Sequence, residues 1–343
     1  MMKQFTGFQH GINLGGWLSQ CDYSTERCET FIRPEDFAQI KAWGADHVRV
    51  PVDYNLLETD DAAAEPRGFR YLRLAVDSCR ANGLRMVLDL HKTPGFSFDP
   101  DEGEGGFFDS EVFQLRFYRI WEGLAQCFAW DTDILAFELL NEVTEQEFMP
   151  AWNRIWAECV RRIRVFAPTV PILVGGYWHN SAQSVKDIAP PPDENIVYNF
   201  HCYEPLIFTH QGASWMPTMD PAFRIPPSAS FGEMERASRE MLGERMTLLD
   251  CWPPETTLSP AYFEAFMASA IEAAEARGVA LYCGEYGVID RVPPEQALEW
   301  YRAIQPVFER HGIGRAAWSY RQMDFGLSDP RMDGVRPELI KLL

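Results

Sequence analysis

The sequence predicts an α/β fold, a single (β/α)8 barrel, and three observations carry that expectation. Eight short, almost entirely apolar runs recur along 343 residues, helical stretches fall between most of them, and no linker divides the chain. Strands that are apolar on both faces belong to a parallel sheet covered by helices on each side. Eight such units suit a barrel, which takes about 250 residues plus insertions. A doubly wound open sheet is the alternative. The whole chain, 1–343, reads as one domain.

The runs are Gly11–Trp17, His47–Val52, Arg85–Leu90, Ile134–Leu140, Pro171–Gly175, Ile196–Phe200, Val279–Cys283 and Arg315–Ser319. Between the first and second, Pro34-Glu35-Asp36 opens a helical stretch that stops at Gly44. Proline at a first helical position, acids in the first turn and glycine past the end are the expected punctuation. Tyr71–Asn82 closes on Gly83 and Tyr262–Arg277 on Gly278, each directly before the next run. After the sixth run, residues 204–259 exceed an ordinary loop and are expected to shape one wall of a cleft.

Composition narrows the partner. With 31 Lys+Arg against 50 Asp+Glu, the formal charge of −19 argues against nucleic acid and anionic membranes. Eleven Trp and twelve Tyr favour a neutral ligand that stacks on flat rings. No stretch approaches the ~20 apolar residues of a membrane helix. No signal peptide is visible, so the expectation is a cytoplasmic protein or a secreted one whose signal has been removed. The eight cysteines are scattered without a Cys-x-x-Cys pair. They read as mostly free thiols, with a Cys21–Cys28 bridge left open.

A barrel places its chemistry at the carboxyl ends of the strands. Here those ends read Arg49 (run two), His91 (three), Asn141-Glu142 (four), His201 and Tyr203 (six), Glu285 (seven) and Trp318 (eight). Taken singly, an arginine or glutamate at a strand end ordinarily closes an ion pair, and a lone histidine is ordinarily a satisfied core residue. Six such ends around one mouth point to a site. Glu142 and Glu285 are far apart in sequence, and only barrel closure brings them together. Two carboxyl groups facing each other suit glycosidic cleavage, one as protonated acid and one as ionised nucleophile or base. No His-Glu-x-x-His or His-x-His motif supports a metal site, and no cofactor is implied.

In order and spacing, Arg49, His91, Asn141-Glu142, His201, Tyr203, Glu285 and Trp318 resemble the family 5 glycoside hydrolases, retaining enzymes with a (β/α)8 fold. The resemblance implies that Glu142 is the acid/base and Glu285 the nucleophile. It also implies that Asn141 holds the sugar 2-hydroxyl, Tyr203 hydrogen-bonds the nucleophile and His201 lies beside the acid/base. Arg49 would buttress the nucleophile, His91 would touch the reacting sugar, and Trp318 would be its floor. Asn13-Leu14-Gly15-Gly16-Trp17 and Leu90-His91-Lys92-Thr93-Pro94-Gly95 look like the fungal exo-β-1,3-glucanases of that family. That similarity adds Asp22 as a hydroxyl ligand, and Phe98 (or Phe96) with Phe208 as an aromatic clamp. The expected partner is therefore a neutral β-glucan and the expected activity exo-β-1,3-glucanase. An endo-β-1,4-glucanase or another β-glycanase of the family is the alternative, and a non-catalytic glycan-binding barrel a third reading.

Overall fold

The computed structural model describes residues 2–59, 66–99, 105–243 and 252–343. Eight parallel strands close into a barrel in sequence order. They are β1 (His10–Asn13), β2 (His47–Asp53), β3 (Arg85–Lys92), β4 (Leu135–Glu138), β5 (Ile172–Gly175), β6 (Ile196–Cys202), β7 (Ala280–Tyr286) and β8 (Gly314–Ala317). Each expected run contains one strand. The first and last are shorter than the apolar pattern, although Leu14 N still donates to Arg49 O beyond β1 and Trp318 N to Tyr286 O beyond β8, each at 2.9 Å.

Helices pack around the outside, as alternation in sequence requires. The helix Pro34–Ala42 starts where expected, and the backbone N–H of Arg33 donates to the Asp36 carboxylate at 2.9 Å to cap it. The helices Gly68–Asn82 and Pro260–Arg277 begin a turn or less ahead of the expected residues. They end on Gly83 and Gly278, both left-handed with φ of 62° and 64°.

The core is split by the barrel wall. The main apolar cluster lies between strands and helices, while a smaller one fills the lower barrel with Val87, Ala136, Leu173, Val197, Ala280 and Ala316. Phe5 and Phe8, stacked at 4.2 Å, close that lower end. Just above, buried His47 links Asp46 (2.6 Å) to the Tyr282 hydroxyl (2.6 Å).

The long segment after β6 holds the turn Leu206–Thr209 and the helix Phe231–Met241, and its residues 244–251 lie outside the described ones. Cys251 falls there. The seven described cysteines are free thiols, and Cys21 and Cys28 form no bridge. Among the described residues, no helix is long and apolar enough to cross a membrane.

Candidate active site

Arg49 organises the mouth from β2. Its side chain is fully buried, which demands that every N–H find an acceptor. Nε and Nη2 grip Glu138 of β4 at 2.6 and 2.8 Å, and Nη2 also meets Asp89 of β3 at 3.0 Å. Nη1 reaches Asn13 at 3.0 Å and Glu285 at 2.8 Å. Asn141 completes the set, its Oδ1 accepting from Nη2 at 3.0 Å. An arginine can only donate, so this contact fixes the Asn141 amide with Nδ2 turned away from Arg49.

One guanidinium thus faces three buried carboxyl groups. Burial pushes Asp89 up to about 7 although Arg49 pulls the other way. Burial likewise raises Glu138, with Asp89 adding to it and Arg49 opposing. His91 places Nδ1 2.6 Å from Asp89, and burial lowers the ring to about 4, so it is neutral at pH 7.

Glu285 arrives by a register shift. The β6–β7 ladder slips after Phe200 so that His201 pairs with Glu285, and the β7–β8 ladder slips between Cys283 and Tyr286. Such irregularities re-aim side chains at barrel rims. Gly284 sits in the slip, its N–H donating to Asn199 Oδ1 at 2.9 Å. A Cβ there would stand 2.8 Å from that oxygen, so a side chain cannot be added without displacing Asn199.

Both oxygens of Glu285 then meet a donor, Arg49 on Oε1 and the Tyr203 hydroxyl on Oε2 at 2.8 Å. The Tyr203 phenol is buried and faces Glu285 and Glu142, which raises it well above its ordinary value and keeps it a donor. Opposite, Glu142 emerges four residues beyond the end of β4 at a positive φ of 25°. His201 Nδ1 takes its Oε1 at 2.7 Å and His179 Nδ1 its Oε2 at 3.1 Å. Burial favours the protonated form of Glu142, but the two histidine contacts outweigh it and hold the carboxyl low. Burial opposes charge on His201, whereas Glu285 and Glu142 raise it.

Glu142, His201 and Glu285 each present a polar atom within 4.8 Å of the others. A cation there would have to displace Arg49 and Tyr203 from Glu285 and His201 from Glu142. The trio therefore reads as a hydrogen-bonded carboxylate pair rather than a metal centre.

The indole of Trp318 lies parallel to the His91 ring at 5.9 Å, and Phe98 meets His91 edge-on at 5.0 Å. From the long segment, half-exposed Trp215 packs 6.5 Å from Phe325, which lies 5.7 Å from Tyr203. The segment thus borders the Glu285 side of the mouth.

Two expected residues are corrected. Phe208 is fully buried in the turn Leu206–Thr209, where its apolar ring joins the main core, so it cannot face a sugar. Asp22 is exposed, and its carboxylate accepts the Ser24 N–H at 2.9 Å, the habit of a short acid at a turn; it makes no contact with the cluster. The buried acid near the first motif is Asp53, held by Ser19 and Tyr23 at 2.8 and 2.7 Å.

Sequence reasoning missed Asn13, Asp89, Glu138, Asn199 and His179. The first four had a signal, since each is a polar residue inside an apolar strand run, where the alternating pleat aims it into the barrel. His179 had none.

Residues 9–324 match the family described as Cellulase (glycosyl hydrolase family 5). The chain belongs to glycosyl hydrolase family 5. Cellodextrinase A of Ruminococcus flavefaciens is 47% identical over 314 residues, covering 92% of this chain and 86% of that protein. Endoglucanase C of Acetivibrio thermocellus is 36% identical over 341 residues, 98% of each. A glucan 1,3-beta-glucosidase of Blumeria graminis aligns over 118 residues at 37% identity, 33% of this chain and 28% of that one. A solved endoglucanase shares the family 5 barrel with a TM-score of 0.76 at 19% identity, covering 97% of both chains, a likeness of fold alone.

Proposed function

We propose that this chain is a retaining β-glucan hydrolase that cleaves β-1,4-linked glucose chains, cello-oligosaccharides above all. The observation that carries the chemistry is the close approach of Glu142 and Glu285, with carboxylate oxygens within 4.8 Å. Retaining enzymes hold their carboxyl groups about 5–5.5 Å apart, whereas inverting ones leave about 6.5–9.5 Å for a water.

Glu285, with donors on both oxygens, is the nucleophile. Its attack forms a bond to the anomeric carbon as the glycosidic bond breaks, and Glu142 gives its proton to the departing oxygen. Glu142 then takes a proton from water, whose oxygen displaces Glu285 and frees the sugar. Asn141, oriented by Arg49, offers Nδ2 to the 2-hydroxyl. Trp318 supplies an apolar floor for the pyranose ring.

Linkage is argued from the relatives that align along nearly the whole chain, a cellodextrinase and an endoglucanase. The Asn13–Trp17 motif that pointed to β-1,3-glucan has scaffold duties here. Asn13 Nδ2 donates to the Gly284 carbonyl at 2.9 Å, and Trp17 Nε1 to that of Cys28 at 2.8 Å. With Phe208 buried, the aromatic clamp also lacks one jaw.

Product profiling tests the reading. Cello-oligosaccharides and carboxymethylcellulose should be cleaved much faster than laminarin. Glucose as the sole early product from laminarin, with cellulosic substrates untouched, would restore the exo-β-1,3 assignment. A first product of inverted anomeric configuration by NMR would overturn the mechanism.

A further inference from the structure

His179 occupies no expected position, yet it touches the acid/base of the proposed mechanism. The two oxygens of Glu142 differ in what surrounds them. Oε1 faces His201, whose side chain is 2% exposed, and Oε2 faces His179, whose side chain is 49% exposed. Oε2 is therefore the oxygen that a glycosidic oxygen can approach, and the His179 ring lies beside that approach.

The backbone aims the ring. Trp178, His179 and Asn180 are consecutively left-handed, with φ of 51°, 55° and 55°. Such strain persists only where the surroundings enforce it, and it gathers at functional sites. Here Trp178 N donates to Thr144 O at 3.1 Å and His179 N to Val143 O at 3.0 Å, pinning the turn to the segment that carries Glu142. Backbone motion is thereby limited, and the ring is half-exposed beside Glu142.

A carboxylate cannot protonate a leaving group, so Glu142 must first take up a proton, from solvent or from a neighbour. His201 Nδ1 is committed to Glu142 Oε1 at 2.7 Å, on the enclosed side of the carboxyl and away from the oxygen that a leaving group can approach. The other groups facing the pair are Arg49, a permanent cation on Glu285 at 2.8 Å, Tyr203, a hydroxyl donor to Glu285, and His91 and His210, each lowered by burial to about 4 and kept neutral. That leaves the imidazole on the open oxygen.

We propose that His179 stores the proton that Glu142 delivers. In the empty cleft the proton sits on His179 Nδ1 and Glu142 is a carboxylate. When a sugar enters on the leaving-group side, the proton passes from Nδ1 to Oε2, leaving neutral imidazole and carboxylic acid, and the ring turns aside. One proton is shared, and no other reactant is needed. Because the two groups titrate as a unit, the alkaline limb of kcat/KM belongs to the pair. An imidazole, ordinarily near 6.5, keeps that proton to higher pH than a carboxylate would.

The inference rests on the mechanism proposed above, so the experiment tests both separately. In His179→Asn, which suits a left-handed backbone but is too short to replace the ring, the alkaline limb on cellotetraose should move down by about one pH unit. The ratio of activity at pH 7.5 to activity at pH 5 should fall about tenfold from its wild-type value. With 2,4-dinitrophenyl β-cellobioside, whose leaving group needs no proton, both enzymes should agree at every pH. His179→Gln, which cannot titrate, should behave alike and serves if the first variant fails to fold. An alkaline limb that stays in place or moves up would overturn the proton store. Glu142→Gln is the control: it should lose cellotetraose activity and keep kcat/KM for the dinitrophenyl substrate, although its kcat falls because no base remains to activate the water. If it keeps both, the acid/base assignment itself fails.

Discussion

Gly15 lies so close beneath Trp318 that a Cβ added to it would stand 2.7 Å from the indole. The glycine is there for space, because the ring proposed as the sugar's floor has the backbone against its edge. Gly15→Ala should push the indole off the floor, at an overpacking cost of about 1–3 kcal/mol. The expected outcome is a KM raised roughly tenfold with a smaller change in kcat, alongside an altered tryptophan emission spectrum. Unchanged kinetics would remove Trp318 from the sugar site.

Arg49 cannot be replaced by its nearest relative. Lysine is a point charge and cannot hold Glu138 in a fork while reaching Glu285 and Asp89. Arg49→Lys should leave buried carboxylates unpaired, a loss of about 3–5 kcal/mol in urea unfolding. Activity should fall more than a hundredfold. A variant of wild-type stability would contradict the network described.

Tyr203→Phe isolates one donor. The hydroxyl meets Glu285 Oε2 at 2.8 Å, and a hydrogen bond to a charged group is worth about 1.5–3 kcal/mol. Applied to the transition state, that is about ten- to a hundredfold in kcat. Thermal denaturation should change little, which separates this effect from that at Arg49.

Acid stability should report Asp46, below the barrel. Burial alone would raise its carboxyl, but the hydrogen bond and charge of His47 and the N–H groups of Gln9 and His10 hold it at about 2, against 3.8 ordinarily. A depressed carboxyl stabilises the fold fully above its unfolded value, and the contribution is lost as pH falls from about 4 through 2. Discounted for partial exposure, it amounts to about 1–2 kcal/mol. Asp46→Asn should melt lower than wild type at pH 7, and the gap should close near pH 2. A constant gap would show that the charge is not responsible.

The barrel and the rim of the site were legible because both are written locally. Apolar runs capped by glycine-ended helices mark strands, and Arg49, His91, Asn141, His201 and Glu285 stand out as polar residues closing those runs. Glu138 and Asp89 were harder to see, hidden by apolar neighbours although the pleat turns them inward. Phe208 and Asp22 failed for a different reason. Whether a loop ring faces core or cleft, and whether a loop acid serves a turn or a ligand, depends on a chain path that adjacent residues do not encode. His179 depends on three left-handed residues in a row, which no propensity anticipates. The Asn13–Trp17 motif misdirected the linkage assignment because its visible duties are to hold Gly284, Arg49 and Trp318 in place, and none of these distinguishes one glucan from another.

The stacked Phe5–Phe8 pair and the apolar cluster it joins seal the base of the barrel, so the site opens at the mouth. In the proposed mechanism the departing sugar, the incoming water and the next chain all pass through it. When oligosaccharide is abundant, a sugar hydroxyl held at that doorway competes with water for the glycosyl-enzyme. Under that mechanism the architecture proposed to degrade chains would then lengthen them by transglycosylation.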